Sequence, residues 1–151
     1  MNETVLQKLY DWRPEGRQSL HLPDLSNGWS VTLTADRNDE LGCLVWELTA
    51  RRAAAKVELK ACAAKLAARL SFEPFKVHEV DAERNEAQLR SAKPAERDLH
   101  VVYYELALQG TGNATLRRYQ ATHDGGKPRS QVTYPLTHES LVKLIEEVIG
   151  E

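Results

Sequence analysis

The residues able to do chemistry are five histidines, two cysteines and 22 carboxylate side chains, and their spacing decides what they can do. His21, His78, His100, His123 and His138 stand apart: none has a second histidine three or four residues away, and Cys43 and Cys62 form no C-x-x-C pair. Zinc ligands gathered on one helix or hairpin need such spacing, so no metal and no cofactor is expected. His78 and His100 fall in strand-like segments and are candidate neighbours in a sheet. A nucleophilic cysteine needs an exposed, electropositive setting and a base. Cys62 instead lies on the apolar side of a helical pattern, and Cys43 opens a strand pattern. There is no G-x-S-x-G elbow, and no spacing singles out a carboxylate pair for acid/base work. His123-Asp124-Gly125-Gly126 and Gly110-Thr111-Gly112-Asn113 look like catalytic or phosphate loops, but each joins two strand patterns. Asp-Gly and Gly-rich stretches in that position form hairpin turns. No catalytic residue is assigned, and the reading leans away from an enzyme.

Charge gives a second set of candidates. With 20 Lys+Arg against 22 Asp+Glu, the net charge of -2 argues against a general nucleic-acid binder. No aromatic–basic ribonucleoprotein signature occurs in the strand patterns. The sum hides a segregation, however. Residues 51–70 hold six basic residues and one acidic, and residues 113–129 hold four and one. If the two segments share a face, Arg52, Lys56, Lys60, Arg117 and Arg118 form a surface for an anion or an acidic partner. Otherwise they are solvated charges paired with neighbouring acids.

These groups must be positioned by a small set of elements. A chain of 151 residues fits one domain spanning 1–151. Val5, Leu9 and Trp12 predict a short helix over 3–12; Pro14 and Gly16 end it. Residues 29–35 and 44–48 alternate as two strands of a hairpin, with Trp29 and Trp46 on the core side. Residues 52–70, rich in Ala, Leu, Lys and Glu without Gly or Pro, predict a long central helix. Strands follow at 75–80, 86–91, 99–108, 114–122 and 131–134. Pro135 then breaks the last strand, Thr137 caps a final helix with the stripe Leu141, Leu144, Ile145 and Val148, and Gly150 stops it. Helices separated by runs of hairpin-linked strands read as α+β, a mostly antiparallel sheet of about five to seven strands packed by the central and C-terminal helices. Glu40-Leu41…Trp46-Glu47-Leu48 is echoed by Asp98-Leu99…Tyr104-Glu105-Leu106, a repetition that the period of a strand explains.

The central helix has two apolar lines. At about 100° per residue, Leu59, Cys62, Leu66 and Leu70 form a core stripe. Val57, Ala61, Ala64 and Ala68 lie opposite; small residues there allow close approach of another helix, including that of a second subunit. The leading expectation is therefore a non-enzymatic protein-interaction module acting as a homodimer. The alternative is a small-molecule binding domain whose pocket lies between the central helix and a curved sheet, lined by Trp46, Tyr103, Tyr104 and Tyr119. No apolar run approaches the roughly 20 residues of a membrane helix, and residues 1–6 lack the pattern of a secretory signal. A cytoplasmic location with no membrane partner is the expectation.

Overall fold

A row of aliphatic residues organises the sheet. The computed structural model describes residues 2–150 and has the order α1 (Asn2–Asp11), β1 (Gln18–Leu22), β2 (Ser30–Asn38), β3 (Cys43–Arg51), α2 (Leu59–Arg69), β4 (Phe75–Asp81), β5 (Glu86–Ser91), β6 (Ala95–Arg97), β7 (His100–Gln109), β8 (Asn113–Thr122), β9 (Ser130–Val132), β10 (Tyr134–Leu136) and α3 (His138–Ile149). Seven strands run side by side as β1-β2-β3-β8-β7-β5-β4, all antiparallel. Leu20, Leu33, Leu48, Leu116, Leu106, Leu89 and Val77 stand opposite one another across them. The middle five are buried. Side chains alternate faces at every residue of a strand, so a slip of one position would turn this whole row to solvent. The same face carries the core cluster with Val5 and Leu9 of α1, Leu59, Ala63 and Leu66 of α2, and Leu141, Leu144, Ile145 and Val148 of α3. The protein is α+β with a mostly antiparallel sheet.

The sheet has ten strands rather than five to seven. The surplus comes from short pieces, and two of them solve a geometric problem. β3 and β8 pair only from Leu48↔Leu116 to Arg51↔Asn113. Beyond Leu48 they part, and the chain at 130–136 fills the opening. β9 pairs with β8 on one side, and β10 pairs with β3 on the other. Tyr134 is fully buried there, and Gln131 Nε2 donates to Trp46 O at 2.9 Å. Pro135 does not break this strand: it sits inside β10, opposite Leu44.

The central helix and the facing of Trp46 are corrected as well. The central helix is 11 residues long, Leu59–Arg69, and does not start at 52. Arg51 still belongs to the sheet, and Arg52 N–H donates to Gly112 O at 2.9 Å. Ala55 N–H then donates to Thr111 Oγ1 at 3.0 Å, and that hydroxyl donates back to Ala55 O at 3.1 Å. These bonds hold 52–58 as a strap over the β7–β8 turn and override the helix preference of its alanines. A side chain at Gly112 would meet Arg52 O. Within α2 the buried stripe is Leu59, Ala63 and Leu66, continued by Leu70; Cys62 is half-buried on the flank. The second correction is Trp46, which faces away from the helices. Register shifts beside Ala35 insert Trp46 and Asp36 as bulged residues, so alternation changes phase between Val45 and Leu48.

The end of the core near α1 is closed by a buried polar relay. Asn38 Nδ2 donates to Leu9 O at 2.6 Å and Trp12 O at 2.7 Å, capping α1 from β2. That fixes its Oδ1 as acceptor for His138 Nε2 at 2.8 Å, so this nitrogen carries the proton. Asn38 and His138 are both buried, and the His138 ring meets Tyr10 edge-on at 4.5 Å. Thr137 caps α3 by accepting from Ser140 N–H at 3.1 Å, and Gly150 ends it with φ of 80°. His78 and His100 are not neighbours, because β5 separates β4 from β7.

Asn38→Ala strands two carbonyls and one imidazole donor in the core; we expect a loss of about 3 kcal/mol in urea unfolding with an unchanged slope. Burial holds the His138 imidazole below its ordinary range. The unfolded chain therefore binds the proton first, so this contribution is complete above about pH 6.5 and shrinks as pH falls toward the folded value. The urea midpoint should fall between pH 7 and 5, and fall less in His138→Gln.

Candidate functional site

An open groove of about 380 Å³ lies between α2, the C-terminal end of α3 and the strap at 52–58. Its size falls within the roughly 300–1,000 Å³ of small-molecule sites. Trp29, buried just before β2, forms one wall, and the Arg52 guanidinium stacks over its ring at 4.5 Å. Leu66, Leu108 and Ile149 supply buried apolar surface. Lys65 and Arg69 add cations, and Glu58 adds a carboxylate. Arg69 is committed: its Nε donates to Glu147 O at 2.5 Å and its Nη2 to Val148 O at 3.3 Å, satisfying the last carbonyls of α3. Among the described residues no ion pair engages Arg52 or Lys65. Trp29 Nε1 and Arg52 Nε are closed off from solvent and have no hydrogen-bond partner among the described residues.

The structure distributes the sequence candidates over several places. Arg52 lines this groove, while Lys56 is exposed on the strap and Lys60 on α2. Arg117 is on the opposite, helix-free face of the sheet, paired with Glu47 at 2.5 Å. Arg118, its neighbour in the strand, points to the helix side and stacks over Tyr104 at 5.2 Å. The two basic segments therefore do not merge into one surface. Ala61, Ala64 and Ala68 lie on one exposed side of α2, whereas Val57, expected on the same helix, is exposed on the strap before it.

The aromatic candidates are likewise divided. Tyr104 packs among Phe72 at 5.0 Å and Tyr134 at 5.2 Å on the helix side. Tyr103 and Tyr119 pair across β7 and β8 on the helix-free face, with ring centroids 6.0 Å apart. Trp46 lies on that face too, under Arg17 at 3.5 Å, and Arg17 also pairs with Asp36. The four aromatics do not line one pocket. Beside the tyrosines, on the same face, sits a charge cluster that sequence reasoning missed. Glu105 is 4% exposed, held by both Arg129 amino groups at 2.9 and 3.1 Å and by Arg90 Nε at 3.0 Å. Arg129 also covers the Tyr119 ring at 3.7 Å and donates to the Tyr103 hydroxyl at 3.2 Å. Burial by itself would push the Glu105 carboxyl up, but Arg129 and Arg90 outweigh it and hold it below its ordinary value.

Other candidates resolve simply. His123–Gly126 is a turn in which Asp124 Oδ1 accepts from Gly126 N–H at 2.8 Å and Gly125 has φ of 66°. Burial pushes the Cys43 thiol up to about 12, far from a thiolate nucleophile. No group of three metal-binding side chains occurs among the described residues. Among them, no helix is long and apolar enough to cross a membrane. In the echoed strands, Leu48 and Leu106 flank the same Leu116, while Leu41 and Leu99 are exposed at hairpin tips. Trp29 and Lys65 were missed as site residues because a groove wall assembled from 29, 52 and 149 has no local spacing.

Glu105→Gln leaves Arg90 and Arg129 without their shared anion. We expect a loss of about 2 kcal/mol in denaturant unfolding, less than a fully buried pair because both arginines reach solvent.

Comparison with family models, with curated proteins and with solved structures returns no match for this chain.

Proposed function

We propose that this chain is a non-enzymatic protein-interaction module that pairs with a second copy of itself through the outer side of α2. The observation behind this reading is the exposed line of Ala61, Ala64 and Ala68 along a helix whose other side is buried in its own core, with Val57 exposed on the strap just before it. Val57 is 49% exposed, an apolar side chain that its own chain leaves uncovered. Small side chains let helix axes approach closely, and a two-fold pair uses the same line on both copies. The reactive side chains support binding over catalysis. Cys43 holds its proton, and His138 is spent on Asn38. A partner protein and a cytoplasmic site of action belong to the same proposal.

Light scattering of the purified chain should give twice the chain mass, and Ala64→Glu should give the chain mass with an unchanged circular dichroism spectrum. Alanine to glutamate keeps helix propensity, so loss of pairing reads on the contact and not on the helix. A monomeric wild type, or a dimer indifferent to Ala64→Glu, overturns this interface.

A further inference from the structure

Native proteins leave few buried donors unpaired, and each exception asks for an explanation. Here two stand together. Trp29 Nε1–H and Arg52 Nε–H lack partners, and the guanidinium lies 4.5 Å from the indole centroid. Trp29 is 94% buried by its 6% exposure, so water does not freely satisfy its N–H. Both side chains line the same groove, whose other walls mix apolar side chains (Leu66, Leu108, Ile149) with polar ones such as Asn27, Thr111 and Asn113. Lys65 adds a second cation with no ion-pair partner among the described residues, while Glu58 is the carboxylate among the lining side chains.

From this arrangement we infer that the groove binds a small amphipathic carboxylate. Its carboxylate accepts from Arg52 and from the Trp29 indole, and its apolar body lies along Leu66 and Ile149. Guanidinium is a planar fork that matches a carboxylate, and a charge-assisted hydrogen bond is stronger than a neutral one. The stacked guanidinium covers the indole in the free chain, so binding draws Arg52 from the ring to the ligand and opens the N–H. The volume of about 380 Å³ suits an aryl or short acyl acid and not a folded partner. The groove shares Val57 and Ala61 with the line proposed for self-pairing, but its donors Arg52 and Trp29 lie off that line, and binding is read at the indole resonance and by calorimetry whether or not the chain pairs.

Phenylacetate supplies both parts of the ligand, 2-phenylethanol the apolar part alone, and inorganic phosphate an anion alone. Titrations are followed by the Trp29 indole N–H resonance, assigned with Trp29→Phe, and by calorimetry. Phenylacetate should move that resonance downfield and bind about tenfold or more tightly than either control. Arg52→Gln should weaken it by about tenfold or more, and Arg52→Lys, which keeps the charge but lacks the fork, should restore only part of the loss. The amide spectrum of each variant establishes that it is folded, and Arg52→Lys stands alone as the test if Arg52→Gln is not. No phenylacetate binding overturns the site. Equal binding of 2-phenylethanol reduces it to an apolar cleft, equal binding of phosphate removes the carboxylate assignment, and undiminished binding in both Arg52 variants removes Arg52; each overturns the inference.

Discussion

The parting of β3 from β8 beyond Leu48 and Leu116 is the constraint on which the rest of the structure turns. Two neighbouring strands that separate leave backbone donors and acceptors facing a gap, and burial makes that costly. The segment 130–136 answers both sides at once, β9 to β8 and β10 to β3. Its placement carries other features with it. Tyr134 fills the interior of the opening, Arg129 arrives over Glu105, and Thr137 is delivered to the point where α3 must begin. Pro135 is tolerated because a three-residue strand with few ladder bonds loses little by lacking an N–H.

The charge segregation has a physical resolution of the same kind. On the helix-free face, acids and bases alternate across strands: Arg117 meets Glu47, and Glu105 lies between Arg90 and Arg129. Two of the four cations of the basic hairpin segment, Arg117 and Arg129, are thus neutralised on this face, while Arg118 and Lys127 form no ion pair among the described residues. The basic segment at 51–70 is not neutralised, since Arg52, Lys56, Lys60 and Lys65 form no ion pair among the described residues. A near-zero sum therefore describes a molecule with one balanced face and one end of uncompensated positive charge.

Legibility in the sequence followed locality. α3 was readable from Thr137, its apolar stripe and Gly150, since each signal acts within one or two turns. The β2–β3 and β7–β8 hairpins were readable from alternation and turn residues. Trp46 was misplaced because one bulge inverts everything that alternation implies, and a bulge leaves no mark in residue type. The start of α2 was misplaced because the bonds that hold Ala55 and Arg52 come from Thr111, 56 residues away in sequence, and from Gly112, farther still. Tyr103 and Tyr104 were grouped by type, whereas adjacent strand residues face opposite sides. The groove needed Trp29, Arg52 and Ile149 brought together, a relation that only the folded chain contains.

The wedge also imposes a schedule. Residues 130–149 follow all seven long strands in the chain, so a ribosome makes them after β3 and β8 have both emerged. Until they appear, Val45 and Tyr104 border an open cleft, and the aliphatic row has no α3 to cover it. Unpaired strand edges and uncovered apolar surface are what make nascent chains stick to one another. In this protein the stretch of synthesis between β8 and α3 leaves both the β3–β8 opening and the aliphatic row uncovered.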